Sequence, residues 1–256
     1  MCLRPRQRSI SGKRGRGLFP LIALCAIAAV GFFAFVRWES RVARPIVNLD
    51  FFRIGAFAAV NGASVLVYLT SFSVLLFAPF YLVRFSGLPL PLAGAMLAAS
   101  FAGSIAASPL AGRMIERFPA ARVAALGAVL NGAGLSLIGG SDIGTPPIVV
   151  VALLALQGFG VGLFQVAYMD LVMGTLPPQH RGVAGSLAML TRTLGVVTGA
   201  TLLTLVFHGL EASSLASGAT AADGFLSAFR ATFRLAGIVS AVTGIVAVYP
   251  AGRRIR

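Results

Sequence analysis

The uncharged runs decide what this chain can become. No Asp, Glu, Lys or Arg stands between Arg53 and Arg84, and none between Arg84 and Arg113. Each run can cross the hydrocarbon core of a bilayer, which takes about 20 helical residues. A soluble fold could not hide such runs: 57% of the 256 residues are hydrophobic and 11% are charged, against about 25% charged in a soluble domain. The solvent is therefore lipid. In lipid each backbone N–H and C=O must be satisfied within its own segment, so the runs are helices. The fold class that follows is all-α, a polytopic membrane protein with about seven transmembrane helices.

The spans read as Leu18–Val36, Gly55–Leu82, Leu90–Gly112, Val123–Gly139, Ile148–Met173, Val183–Phe207 and Leu235–Pro250. Residues 1–17 are basic, polar and without periodicity, and read as a disordered tail. Residues 37–54 form a loop, residues 55–250 hold six of the spans, and 251–256 are a tail. The stretch from His208 to Ser227, rich in Ser, Ala and Gly, reads as a long mobile loop.

Net charge is +14, but its placement argues against a nucleic-acid partner. The arginines cluster between spans. Loop 37–54, loop 113–122, turn 177–182 and the C-terminal tail carry eleven of them, whereas the alternate loops carry Arg84, Arg230 and Arg234. Positive charge stays inside, so the first set, with the C-terminus, is expected in the cytoplasm of a multi-pass cell-membrane protein. Seven crossings would then put the N-terminus outside, in conflict with six positive charges in residues 4–16. Two explanations stay open: a missing helix before the first span, or a first span that does not cross.

Within the spans the polar residues are few. Arg192 lies ten residues beyond Gly182, about 15 Å along a helix and near the middle of the core. Asp170 and Gln165 lie about 10 and 18 Å from the same end. An ionisable group inside a span is a functional hypothesis by default. The expectation is that Arg192 pairs with Asp170 or hydrogen-bonds Gln165. The plainer reading is a polar contact that only stabilises the bundle. Asn61, Tyr68, Asn131, Gln157 and Tyr168 either line a cavity or bond between helices. Gly158 and Gly162, and Gly195 and Gly199, are each four apart, which places both members on one helix face where a neighbouring backbone can approach.

The segment Gly112-Arg113-Met114-Ile115-Glu116-Arg117-Phe118-Pro119-Ala120-Ala121-Arg122 resembles the G-x-x-x-D-R-x-G-R-[KR] loop of the major facilitator superfamily. Gly112 and Arg117 match, Glu116 replaces aspartate, and Arg122 lies one place beyond the last basic position. Pro119 and Ala120 replace the glycine and arginine. The segment Glu39-Ser40-Arg41, then Pro45-Ile46-Val47-Asn48-Leu49-Asp50-Phe51-Phe52, resembles the loop after the eighth helix of the fourteen-helix drug:proton antiporters. Gly158-Phe159-Gly160-Val161-Gly162, Arg181-Gly182-Val183-Ala184-Gly185, Arg192 and Gly195 fit the same family. The resemblance implies one accessory helix (residues 18–36) and a C-terminal six-helix half-bundle. It also implies Arg113, Glu116, Arg117 and Arg122 as a cytoplasmic latch, the alternative being a plain solvated loop that only sets topology, with hydrophobic small molecules and protons as cargo. Alternating access needs two bundles. One bundle is expected to be inactive without a complementary N-terminal half or a second copy of itself. A truncated membrane protein that transports nothing is the alternative.

An enzyme is not expected. Tyr168-Met169-Asp170 has no Gly-x-Gly-Asp partner, and no Gly-x-Ser-Gly occurs. His180 and His208 are too far apart in register for a metal site, no His/Cys/carboxylate cluster has ligand spacing, and no cofactor is expected.

Overall fold

A computed structural model describes Val30, Arg37 and residues 55–84, 87–142, 144–175 and 181–248. The chain divides into residues 1–49 and 50–256. Of the first unit only Val30 and Arg37, both helical, are described. The expected basic tail, accessory helix, loop 37–54 and C-terminal tail 251–256 thus lie, Val30 and Arg37 apart, outside the described residues.

The second unit contains six long helices: α1 (Gly55–Arg84), α2 (Leu90–Arg117), α3 (Ala120–Ile138), α4 (Pro147–Thr175), α5 (Arg181–Ala216) and α6 (Ala221–Thr243). A π-helical turn, Gly244–Val248, continues α6. All six are long and apolar enough to cross a membrane, and the described residues include no strand. The protein is a multi-pass membrane protein. Successive helices alternate in direction, so one end of the bundle gathers Arg113, Arg117 and Arg122, and the other gathers Arg84 and Arg230.

Three boundaries differ from the sequence expectation. The segment expected as loop 113–122 is mostly helical, because α2 continues to Arg117 and only Phe118 and Pro119 separate it from α3. Pro119 sets the stop: the residue before a proline is pushed out of the helical region, and Phe118 is extended at φ −125°, ψ 150°. Second, the expected loop 208–227 is mostly helical. Helix α5 runs to Ala216 and α6 starts at Ala221. At 1.5 Å per residue α5 is about 54 Å long, well beyond a core of about 30 Å. Gly218, at φ 92°, makes the turn, and Thr220 caps α6 by accepting from the Asp223 N–H. Third, the last span begins at Ala221 rather than Leu235. Arg230 and Arg234 hide its first half from a hydropathy reading.

The bundle is built around α4, which packs against both α2 and α3, while α3 packs on α6 and α1 on α5. Glycine permits these approaches. A Cβ on Gly158 would fall 1.8 Å from the Ser100 carbonyl oxygen, and one on Gly162 would fall 2.4 Å from that of Ser104. Across α1 and α5, Gly195 and Gly199 would place theirs 2.6 and 2.7 Å from the Val65 and Leu69 carbonyl oxygens. Real Cβ atoms are not found at such distances, so glycine at these four positions is a condition of the packing.

Toward the Arg84 end, rings replace glycine. Phe77 stacks on Phe207 at 4.5 Å, Tyr81 on Phe229 at 4.9 Å, and Phe229 lies 4.3 Å from Phe233. These belong to one buried cluster that also takes in Leu135, Ile138 and Leu154.

Candidate functional site

Two hydrogen-bonded networks cross the interior. In the first, the Tyr168 hydroxyl of α4 donates to Asn61 Oδ1 of α1 at 2.9 Å and lies 2.8 Å from Thr191 Oγ1 of α5. Asn61 Nδ2 donates to its own helix, to the Phe57 carbonyl at 2.9 Å. In the second, Ser100 of α2 donates to Gln157 Oε1 of α4, Gln157 Nε2 donates to Asn131 Oδ1 of α3, and Asn131 Nδ2 donates to Ser240 Oγ of α6, each at 2.8 Å. Ser240 closes the chain on the Ala128 carbonyl at 2.9 Å. Asn61, Asn131, Gln157, Thr191 and Ser240 are all buried. Each interhelical bond in a membrane is worth about 0.6 kcal/mol on average. Their larger effect is to fix helix rotation, since an unpaired amide in hydrocarbon costs several times that.

Gln157 and Ser100 also face a cleft of about 290 Å³. Helix α1 contributes Tyr68, Ser71 and Phe72, α2 contributes Phe101 and Ser104, α4 contributes Gln165, and α5 contributes Arg192 and Val196. Small-molecule pockets start at about 300 Å³ and are mostly apolar with a few placed polar groups, and this cleft has that composition. Its volume suits a ligand of one or two rings.

Arg192 is the single charged residue lining the cleft. Its guanidinium carbon lies 5.1 Å from the centre of the Tyr68 ring, within cation–π range. Tyr68 is itself held by Phe164, edge to face at 6.0 Å, and Phe164 stacks on Tyr168 at 5.6 Å. The cation–π contact is worth about 0.5–2 kcal/mol, whereas a central arginine costs roughly 2.5–3.5 kcal/mol. The ring therefore offsets only part of the cost of placing Arg192 at this depth.

The expected Arg192–Asp170 pair is absent, and no hydrogen bond joins Arg192 to Gln165; among the described residues the ion pairs are His208–Glu211 and Arg230–Asp142. Counting residues gave the depth of each group but not its direction. Gln165 and Asp170 are five residues apart, so they point about 140° from one another around α4. Gln165 lines the cleft with Arg192. Asp170 is exposed and lines a separate cleft with Glu116, Arg117, Pro119 and Ala120.

The other sequence candidates fall into three groups. Tyr68, Gln157, Gln165 and Arg192 share the cleft. Asn61 and Asn131 lie behind it, in the two networks. Gly112, Arg113, Glu116 and Arg117 form the last turns of α2, and Arg122 lies in the first turn of α3. No ion pair joins Glu116 to Arg113 among the described residues.

Sequence reasoning missed Ser100, Thr191 and Ser240. A Ser or Thr in a span bonds back to its own helix as readily as to a neighbour. Thr191 does both, donating to the Ala188 carbonyl at 2.9 Å. The usable signal was local: Ser100 and Ser104 flank Gly103, whose Cβ would meet the Ala155 carbonyl oxygen at 2.2 Å.

The sequence that builds these four cleft helices and the two bonded behind them has relatives. The family model described as Major Facilitator Superfamily matches residues 60–254. The tetracenomycin C resistance and export protein of Streptomyces glaucescens is 28% identical over 196 residues, covering 74% of this chain and 35% of its own. The multidrug transporter protein MdtP of Bacillus subtilis is 22% identical over 195 residues, covering 76% and 36%. The multidrug export protein EmrB of Escherichia coli K12 is 24% identical over 199 residues, covering 75% and 38%. The chain thus spans well under half the length of each of these three relatives. The family-model match takes in most of α1 and all of α2 to α6, and on that ground this chain belongs to the Major Facilitator Superfamily.

Proposed function

We propose that this bundle forms one wall of the substrate pathway of an efflux transporter that moves hydrophobic small molecules in exchange for protons. The observation that carries this reading is the cleft: four helices converge on it, it is apolar with ring-bearing walls, and it holds a few convergent polar groups. The relatives, a multidrug transporter, a multidrug export protein and a tetracenomycin C resistance and export protein, favour the same reading. The arginine bias favours the Arg113–Arg122 end and the C-terminus in the cytoplasm, with the aromatic end external.

The bundle works against a counterpart. Alternating access is the rocking of two bundles about a central site, and a single cleft-bearing bundle has only one of its walls. A complementary N-terminal half, or a second copy, supplies the other.

The test is dye efflux in a bacterial host lacking its own efflux pumps. The chain expressed alone is expected to leave the retention of a hydrophobic dye unchanged. Co-expression with an N-terminal half from a relative is expected to restore energy-dependent efflux. Monomeric purified protein that moves dye across vesicles without a counterpart would contradict the two-bundle requirement. Efflux that persists unchanged after the cleft is blocked by Val196→Trp would contradict the assignment of the pathway.

A further inference from the structure

We infer that the cleft selects planar aromatic compounds bearing an anionic or acidic oxygen, that Arg192 is the group that binds that oxygen, and that permanent cations are disfavoured. The inference rests on reading the cleft as a substrate site and adds a charge preference to it.

Three observations converge. First, the cleft lining contains one cation and no carboxylate. A cleft with an unbalanced positive group repels a cation and attracts an anion. Second, the Arg192 guanidinium rests on the Tyr68 ring, and no ion pair or hydrogen bond ties it to the protein among the described residues. Its N–H donors lie in the guanidinium plane in a fork that matches a carboxylate or phenolate oxygen. The Tyr68 ring limits where that fork can go. Third, Phe72 of α1 and Phe101 of α2 line the same cleft as Arg192 and supply ring surface to it. Gln165 supplies a second polar contact.

Asp170 lines two other clefts, one with Glu116 and Arg117 and one with Gln165, Met169 and Met173. It does not line the Arg192 cleft, and among the described residues no ion pair joins it to Arg192.

The full chain in phosphatidylcholine nanodiscs is titrated with three probes that share one ring system: naphthoate, naphthamide and naphthylmethyl-trimethylammonium. Naphthoate is expected to bind about tenfold more tightly than the cation, the ratio of one charge-assisted contact. Arg192→Gln is expected to weaken naphthoate about tenfold and to leave naphthamide nearly unchanged. Arg192→Lys, which keeps the charge but loses the fork, is expected to fall between. Tighter binding of the cation than of naphthoate would overturn the charge preference while keeping the cleft as a binding site. So would naphthoate binding that Arg192→Gln does not alter. Absence of saturable binding for all three probes would overturn both the preference and the reading of the cleft. The wild-type comparison of naphthoate with the cation decides the matter even if the variants fail to fold.

Discussion

At the Arg84 end of the bundle, neighbouring helices are spaced by rings; at mid-depth they touch backbone to backbone. Tyr81, Phe229 and Phe233 fill the first region with interlocking side-chain volume. Gly158, Gly162, Gly195 and Gly199 bring carbonyl oxygens of the facing helix into the second. Both regions are apolar, and in lipid neither gains much from burying hydrocarbon, since lipid tails are as apolar as leucine. Stability in both therefore comes from contact density and hydrogen bonds. They should nonetheless tolerate change differently. Rings can be traded for other apolar volume, but a backbone contact has no side chain that can yield. The rigid middle is also where the cleft lies. Ser100 donates into the cleft-lining Gln157 while Gly158, the next residue, sits against the Ser100 carbonyl. The position of the site is thus set by the least forgiving packing in the molecule.

That contrast can be broken most easily at Gly158. Gly158→Ala adds one methyl group against the Ser100 carbonyl oxygen, and the clash exceeds the gain in helix propensity. The expected loss is about 2 kcal/mol or more, seen as a lower melting temperature in detergent and an aggregated profile on size exclusion. Gly112→Ala, where nothing lies within 4 Å, is the matched control and should melt at the same temperature or slightly higher, since alanine gains up to about 1 kcal/mol of helix propensity. A Gly158→Ala protein as stable as the control would dissolve the distinction between the regions.

The aromatic end should give a smaller effect. Phe229 is fully buried against Tyr81 and Phe233. Phe229→Leu exchanges a ring for a branched chain of lesser volume, and the expected cost is below about 1.5 kcal/mol. The same melting assay reads it. A larger loss than at Gly158 would reverse the ranking, and ring stacking rather than backbone contact would then be the principal restraint.

Much of this was legible before any coordinates. The uncharged runs gave the helices, because lipid leaves no other way to satisfy a backbone. Glycines four apart marked the faces on which α2 meets α4 and α1 meets α5. Asn61, Asn131 and Gln157 stood out as amides in hydrocarbon and do bond between helices. What failed did so for physical reasons. The start of α6 was hidden because Arg230 and Arg234 lower the local hydropathy, although Arg230 reaches an ion pair with Asp142 at the bundle end. The pairing of Arg192 with Asp170 rested on depth alone. Depth follows from counting residues, but the direction a side chain faces depends on how each helix is rotated by its neighbours. For α4 that rotation is set by contacts spread over four other helices. Ser100, Thr191 and Ser240 escaped because a hydroxyl that back-bonds to its own helix looks the same in sequence as one that reaches across.

The proposed function depends on orientation, with the Arg113–Arg122 end in the cytoplasm and the aromatic end outside. Single cysteines decide this in intact cells, with Cys2 and Cys25 first replaced by serine. Gly144→Cys reports the connection between α3 and α4, and Ala120→Cys reports the start of α3. With a membrane-impermeant maleimide, Gly144→Cys is predicted to label from outside and Ala120→Cys only after permeabilisation. The reverse pattern, Ala120→Cys labelled on intact cells and Gly144→Cys protected, would contradict the account.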